Sequence, residues 1–181
     1  MRLRSVPALP LVGALLIGIA AVPAHADDPC AGFKWDLSKE RALLAASAQP
    51  QAQPAGRDGT AAPVVVPDRL YVLRLAPLDQ VSFSVPPGKA SRGEGSFAGM
   101  VELKIPAAGT YRIAIDLPVW IDVATNGKLV PAKNYQAQHG CDAPRKVVEF
   151  DLDGRARLLL QFSGADGQTV RMSVTRVLLV G

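Results

Sequence analysis

The chain reads as an all-β protein: an antiparallel β-sandwich, jelly-roll or immunoglobulin-like, with one short N-terminal helix. Three observations carry this. From about residue 68 the apolar residues recur in twos, not in threes and fours. Asn-Gly and Asp-Gly pairs punctuate these runs. The one helical pattern lies before residue 47.

Residues 1–26 read as a secretory signal peptide, with basic Arg2 and Arg4, an apolar run from Leu9 to Val22 and an Ala24-His25-Ala26 ending. The run is short for a membrane span of ~20 residues. Cleavage after Ala26 is expected to release residues 27–181 into the periplasm or medium, with no membrane span remaining. Arg2 and Arg4 supply two of the formal +4, leaving +2 for the mature chain. Its Lys and Arg are scattered among acids, so no phosphate-tracking stripe or polybasic anchor is present and nucleic acid is not an expected partner.

His25 leaves with the signal peptide, so His139 is the one histidine of the mature chain. Three-His zinc, two-His iron and His-pair copper sites are excluded unless subunits share them. Cys30 and Cys141 lack CxxC spacing and are expected to form one disulfide in an oxidising compartment. Closing a loop of about 100 residues contributes typically 2–4 kcal/mol, and up to ~4.7 in the chain-entropy model.

Residues 27–46 form the helical arm. Asp36 or Ser38 can cap the helix, Glu40 suits its positive start, and Leu37 and Leu44 share a face. Phe33 and Trp35 are placed to pack on the main domain, and the bridge from Cys30 would keep the arm docked. Residues 47–67 are rich in Ala, Gln, Pro and Gly and read as a flexible linker.

Residues 68–181 form the sandwich. Val81–Val85, Val101–Ile105, Tyr111–Leu117 and Val170–Val174 alternate apolar with small or polar residues, so each strand buries one face. Asn126-Gly127 predicts a tight hairpin, as do Asp153-Gly154 and Ala165-Asp166-Gly167.

Within this domain, Val101-Glu-Leu-Lys-Ile-Pro106-Ala-Ala-Gly109-Thr-Tyr111-Arg-Ile113 resembles the strand-turn-strand element of bacterial pre-peptidase C-terminal domains. The likeness covers about a quarter of the mature chain. It implies a sandwich module of the kind appended to secreted enzymes, with Gly at the turn and Tyr capping the core. Over its full length, starting from Cys30-Ala-Gly-Phe33-Lys-Trp35-Asp36, the chain is similar to small exported proteins of proteobacteria. That similarity implies a shared fold and no activity.

Several short patterns invite chemistry. Gly93-Glu-Gly95-Ser96-Phe-Ala98 fits a dinucleotide fingerprint in spacing but leads into a strand, so no cofactor is expected. Ser96 lacks the frame of a nucleophile elbow. Asp151-Leu-Asp153-Gly154 starts like a calcium loop but continues with Arg155 and Arg157, so no metal site is assigned there. An irregular calcium site stays open for Asp116, Asp122 and Asp142.

In Pro118-Val-Trp120-Ile-Asp122-Val, burial of Ile121 and Val123 turns Trp120 and Asp122 to the other face. A ring beside a carboxylate suits a sugar, and Tyr135, Gln138 and His139 are expected on the loop after the next strand. The plainer alternative has Trp120 filling a second core face or lying under the helix. Trp120, Asp122, Tyr135 and His139 are the candidate ligand residues, and no catalytic residue is assigned. The expected role is an exported, non-catalytic binding or structural accessory protein, with a glycan, a cell-envelope component or another exported protein as partner. The alternative is a small secreted hydrolase using paired carboxylates such as Asp116 and Asp122.

Overall fold

The computed structural model describes residues 28–47, 50–89 and 95–178. The signal-peptide reading and Gly93 of the glycine pattern lie outside them. Helix α1 (Ser38–Leu44) precedes strands β1 (Gln53–Pro54), β2 (Val64–Val65), β3 (Leu70–Arg74), β4 (Ala76–Pro77), β5 (Phe97–Leu103) and β6 (Gly109–Ile115). Next come β7 (Trp120–Thr125), β8 (Lys128–Val130), β9 (Asn134–Ala137), β10 (Lys146–Leu152), β11 (Leu158–Ala165) and β12 (Thr169–Arg176).

These strands form the two packed sheets of a sandwich. Sheet A runs β1-β3-β12-β6-β10-β9, and sheet B runs β2-β5-β11-β7-β8 with β4 beside β5. The long strands pair antiparallel, as the alternation predicts, while β1 on β3 and β2 on β5 are parallel, so both sheets are mixed. Alternate residues such as Val101, Ile113, Val123, Phe150, Leu160 and Val174 meet in one core. Tyr111 is fully buried there, and its hydroxyl donates to the Ala107 carbonyl at 2.7 Å, tying the turn before β6 to the core.

The Asn126-Gly127 hairpin is present between β7 and β8, with φ of 49° and 71°. The other two expected hairpins are not. Asp153-Gly154 joins β10 of sheet A to β11 of sheet B, and Ala165-Asp166-Gly167 joins β11 back to β12 of sheet A. Turn residues reverse the chain whichever sheet receives the next strand, so local composition does not distinguish a hairpin from a crossover. In β11 the pairing with β5 gains one extra residue between Phe162 and Ala165, where Gly164 supplies a φ of 71°.

Two further expectations are corrected. Residues 81–85 alternate like a strand but form none; they lie across the outer face of sheet B instead. There Gln161 takes the place of a neighbouring backbone. Its amide donates to the Val85 carbonyl at 2.9 Å, and its oxygen accepts from Ser84 Oγ at 2.8 Å and the Val85 N–H at 3.3 Å.

The segment read as a flexible linker is woven into both sheets. It supplies β1 and β2, buries Ala55 and Val65, and exchanges backbone hydrogen bonds of 2.8 and 2.9 Å between Gly56 and Met100. A Cβ on Gly99 would stand 2.6 Å from that of Ala55. Small residues here permit close packing of chain on chain, and their abundance is what suggested a linker.

The helical arm docks on the outer face of sheet A. Leu37 and Leu44 are buried against Ala114 and Val147, with Phe33 and Trp35 packed alongside, and the Cys30–Cys141 disulfide forms as expected. Ser38 begins the helix, and Asp36 accepts its N–H at 2.9 Å. Arg112 lies beneath. It donates to Glu149 at 2.9 Å and to the Asp36 carbonyl at 2.8 Å, stands 3.9 Å from Glu40, and stacks 4.9 Å from the Trp35 ring centre. Glu40 also accepts from Thr175, and Arg171 bonds the Leu44 carbonyl at 3.0 Å.

Arg112, Glu40 and Glu149 side chains retain 15%, 4% and 11% of their exposure, so removing the shared cation strands two buried carboxylates. Arg112→Leu is expected to lower unfolding free energy by about 3–5 kcal/mol. Urea denaturation measures this, and a loss below about 1 kcal/mol would mean that the network does not hold the arm.

Candidate functional site

Sheet B ends at β8 and sheet A at β9, and between these edges the sandwich opens into a cleft of about 730 Å³. One wall comes from β7 and residues 129–132, the other from β9 and β10. All four residues singled out in the sequence line it: Trp120, Asp122, Tyr135 and His139. Lys89, Lys146 and Ser163 join them.

Trp120 and Asp122 leave β7 on the face opposite Ile121 and Val123, as alternation requires. Trp120 is 37% exposed, so it neither fills the core nor lies under the helix. Asp122 is buried, and both its oxygens are engaged. Oδ1 accepts from Trp120 Nε1 at 3.0 Å and Oδ2 from the Gly88 N–H at 3.0 Å. The carboxylate therefore orients the indole and anchors residue 88, each oxygen accepting one hydrogen bond.

Tyr135, expected on a loop, instead projects from edge strand β9, where it pairs with Val148, and is 66% exposed. His139 lies beyond the same strand, where Arg145 Nη2 approaches Nδ1 at 2.9 Å. A guanidinium only donates, so Nδ1 accepts and Nε2 carries the ring proton. Arg145 itself is held by its bond to the Gln138 carbonyl.

Lys146 is the residue the sequence reading missed. It opens β10 with the same parity as Val148 and Phe150, which face the core, so alternation alone directs its side chain inward. A lysine on the apolar parity of a strand was the available signal. Its Nζ donates to the Val119 carbonyl at 3.1 Å and lies 5.1 Å from the Trp120 ring centre, while Lys89 Nζ lies 5.5 Å from the same ring. Burial, and then the like charge of Lys89, push the Lys146 ammonium below the ordinary lysine value of 10.5, against the pull of Asp122.

The other acids considered do not join this site. Asp116 follows β6 in sheet A and is bound by Arg171 through its N–H at 2.9 Å and Nε at 2.8 Å. Asp122 serves sheet B, so the two candidate carboxylates are held by different sheets. Asp142 is exposed, and among the described residues no three His, Cys, Asp or Glu side chains converge on a metal-sized site. Gly95 and Ser96 lead into β5, not a helix. No helix among the described residues is long and apolar enough to cross a membrane. No protein-family model matches the chain, and no curated protein matches it.

Lys146 makes stability depend on pH in a definite direction. Its folded-state pKa lies below 10.5, so between those two values the unfolded chain binds more protons, and rising pH favours the folded form. Urea midpoints of wild type and Lys146→Met, compared from neutral pH to about 10.5, should therefore shift progressively toward wild type. A constant difference would show that the ammonium is not desolvated.

Proposed function

We propose that this is an exported, non-catalytic binding protein whose cleft between β8 and β9 receives a carbohydrate or related cell-envelope component. The observation that carries this reading is the convergence of two exposed aromatic rings, Trp120 and Tyr135, with His139 on one cleft of about 730 Å³. That volume lies within the ordinary range for small-ligand sites, ~300–1,000 Å³. Aromatic faces with polar groups at their rims suit the apolar faces and hydroxyls of sugar rings.

A binding role is favoured over hydrolysis by the cleft's own composition. Among its described lining residues Asp122 is the one carboxyl, and it is occupied by Trp120 and Gly88, whereas two-carboxylate glycoside hydrolysis needs a proton donor and a second acid. The Cys30–Cys141 bridge fits an oxidising compartment, and with the N-terminal leader pattern it supports export to the periplasm or medium. The likeness of Val101–Ile113 to pre-peptidase C-terminal domains also supports an accessory role.

Thermal unfolding of residues 27–181 across neutral and acidic oligosaccharides and cell-wall fragments tests this. A ligand at about 100 times its Kd stabilises the native state by ~2.7 kcal/mol, which reads as a rise of several degrees in Tm. Trp120→Ala and Tyr135→Ala should each abolish the rise while leaving the unliganded protein folded. If no glycan raises Tm, or if both variants respond like wild type, the reading fails.

A further inference from the structure

We propose that the ligand of this cleft is acidic, with a negatively charged group seated at Lys146 and Lys89 beside Trp120. This rests on the glycan-binding reading and narrows it to sugars that carry an anion.

Charge arrangement is the first support. Lys146 points from the core-facing side of β10 into the mouth of the sandwich, and its one hydrogen bond among the described residues goes to a neutral carbonyl, that of Val119. Its remaining ammonium N–H groups have no acceptor there. Lys89 has no carboxylate partner among the described residues and sits over the same indole. Two ammonium groups thus share one ring and repel each other. Asp122, the one acid on the described lining, accepts from Trp120 and Gly88 and pulls on Lys146 without standing in ion-pair contact with either lysine. A partly buried cation with no carboxylate in direct ion-pair contact, and only the weaker pull of Asp122, is unfavourable, and an anionic ligand supplies a direct partner.

Ser163 is the second, independent support. It lies on the cleft wall directly opposite Trp120 in the β7–β11 ladder, retains 2% exposure, and its Oγ has no hydrogen-bond partner among the described residues. Buried hydroxyls are ordinarily satisfied, so an unpaired one on the same cleft lining as Lys89 and Lys146 fits a place where a bound molecule provides the partner. A hydroxyl both donates and accepts, which suits a sugar acid bearing oxygen anions and hydroxyls together.

The test compares acidic oligosaccharides with their uncharged counterparts. Oligomers of galacturonate, glucuronate-containing hyaluronan and alginate are each titrated beside the carboxyl-reduced form, with inorganic phosphate as a separate arm, against wild type, Lys146→Met and Lys89→Gln. A charge-assisted hydrogen bond is worth at least about tenfold in affinity, so one acidic form should bind that much more tightly than its reduced form. Lys146→Met should erase the preference by weakening binding of the acidic form, and Lys89→Gln should diminish it from an exposed position. Equal binding of acidic and reduced forms would overturn the acidic assignment and leave the glycan reading standing. No binding of either form by any oligosaccharide would overturn both. If phosphate alone reproduces the stabilisation, the site takes a free anion and the sugar-acid assignment falls.

Discussion

Arg112 stands between Glu149 and Glu40 under the helical arm, and much of the molecule follows from its being held there. Its guanidinium also donates to the Asp36 carbonyl and stacks on Trp35, so a single side chain joins the arm to sheet A through charge, hydrogen bond and ring. Arg171 does the same at the other end of α1 through Leu44. A seven-residue helix has little stability of its own, and what keeps it folded is this docking together with Leu37, Leu44 and the disulfide.

The docking reaches the cleft because β9 and β10 have two working faces. Outward, Val147 and Glu149 of β10 meet the arm, while Gln136 accepts the Lys34 N–H at 2.7 Å and Gln138 donates to the Gly32 carbonyl at 2.8 Å. On the other side Lys146 and Val148 of β10 and Tyr135 and Ala137 of β9 line the cleft. In a strand of period two, gripping one set of side chains sets the register of the other. β9 is an edge strand paired on one side only, and contacts from the arm replace the restraint that a second neighbour would supply. Sheet B solves the same problem with polar side chains. Gln161 and Asp122, opposite each other across the β7–β11 ladder, hold Ser84, Val85 and Gly88 against its outer face, and so place Lys89 beside Trp120.

The sandwich was legible because two-residue alternation is imposed directly by burying one strand face, and β5, β6, β7 and β12 all display it. The arm was legible for a similar reason: Leu37 and Leu44 share one helix face, and Cys30 had one possible partner. Three features were not. Val81–Val85 has strand periodicity, but its backbone partner is the side chain of Gln161, seventy-six residues further on from Val85. Residues 53–65 look like a linker because they are small, and smallness is also what lets Ala55 approach Gly99. Asp153-Gly154 and Ala165-Asp166-Gly167 specify a reversal without specifying the sheet that receives the next strand. At the site, alternation set Trp120 and Asp122 on one face of β7, whereas Tyr135 and His139 were named from nearness in sequence and line the same cleft. Its charge was not legible: Asp122 also serves as an internal acceptor for Trp120 and Gly88, and Lys89 and Lys146 reach the same ring from other segments.

Those lysines change what the aromatic ring offers a ligand. A cation over an indole is worth roughly 0.5–2 kcal/mol depending on its desolvation, comparable to what stacking on the same ring provides. A neutral sugar settling on Trp120 displaces or must fit around two ammonium groups already within 5.5 Å of the ring centre, and leaves their mutual repulsion untouched. A ligand that brings a negative charge meets no such opposition. It relieves the repulsion between Lys89 and Lys146, gives the half-buried ammonium an opposite charge, and can leave the ring–cation contacts in place. The same desolvation that disfavours the Lys146 ammonium strengthens its attraction to an anion, since both effects arise from the low local dielectric. Selectivity of this kind needs no movement of the walls: Asp122 fixes the indole, the arm fixes β9 and β10, and the charge awaiting a partner is held between them.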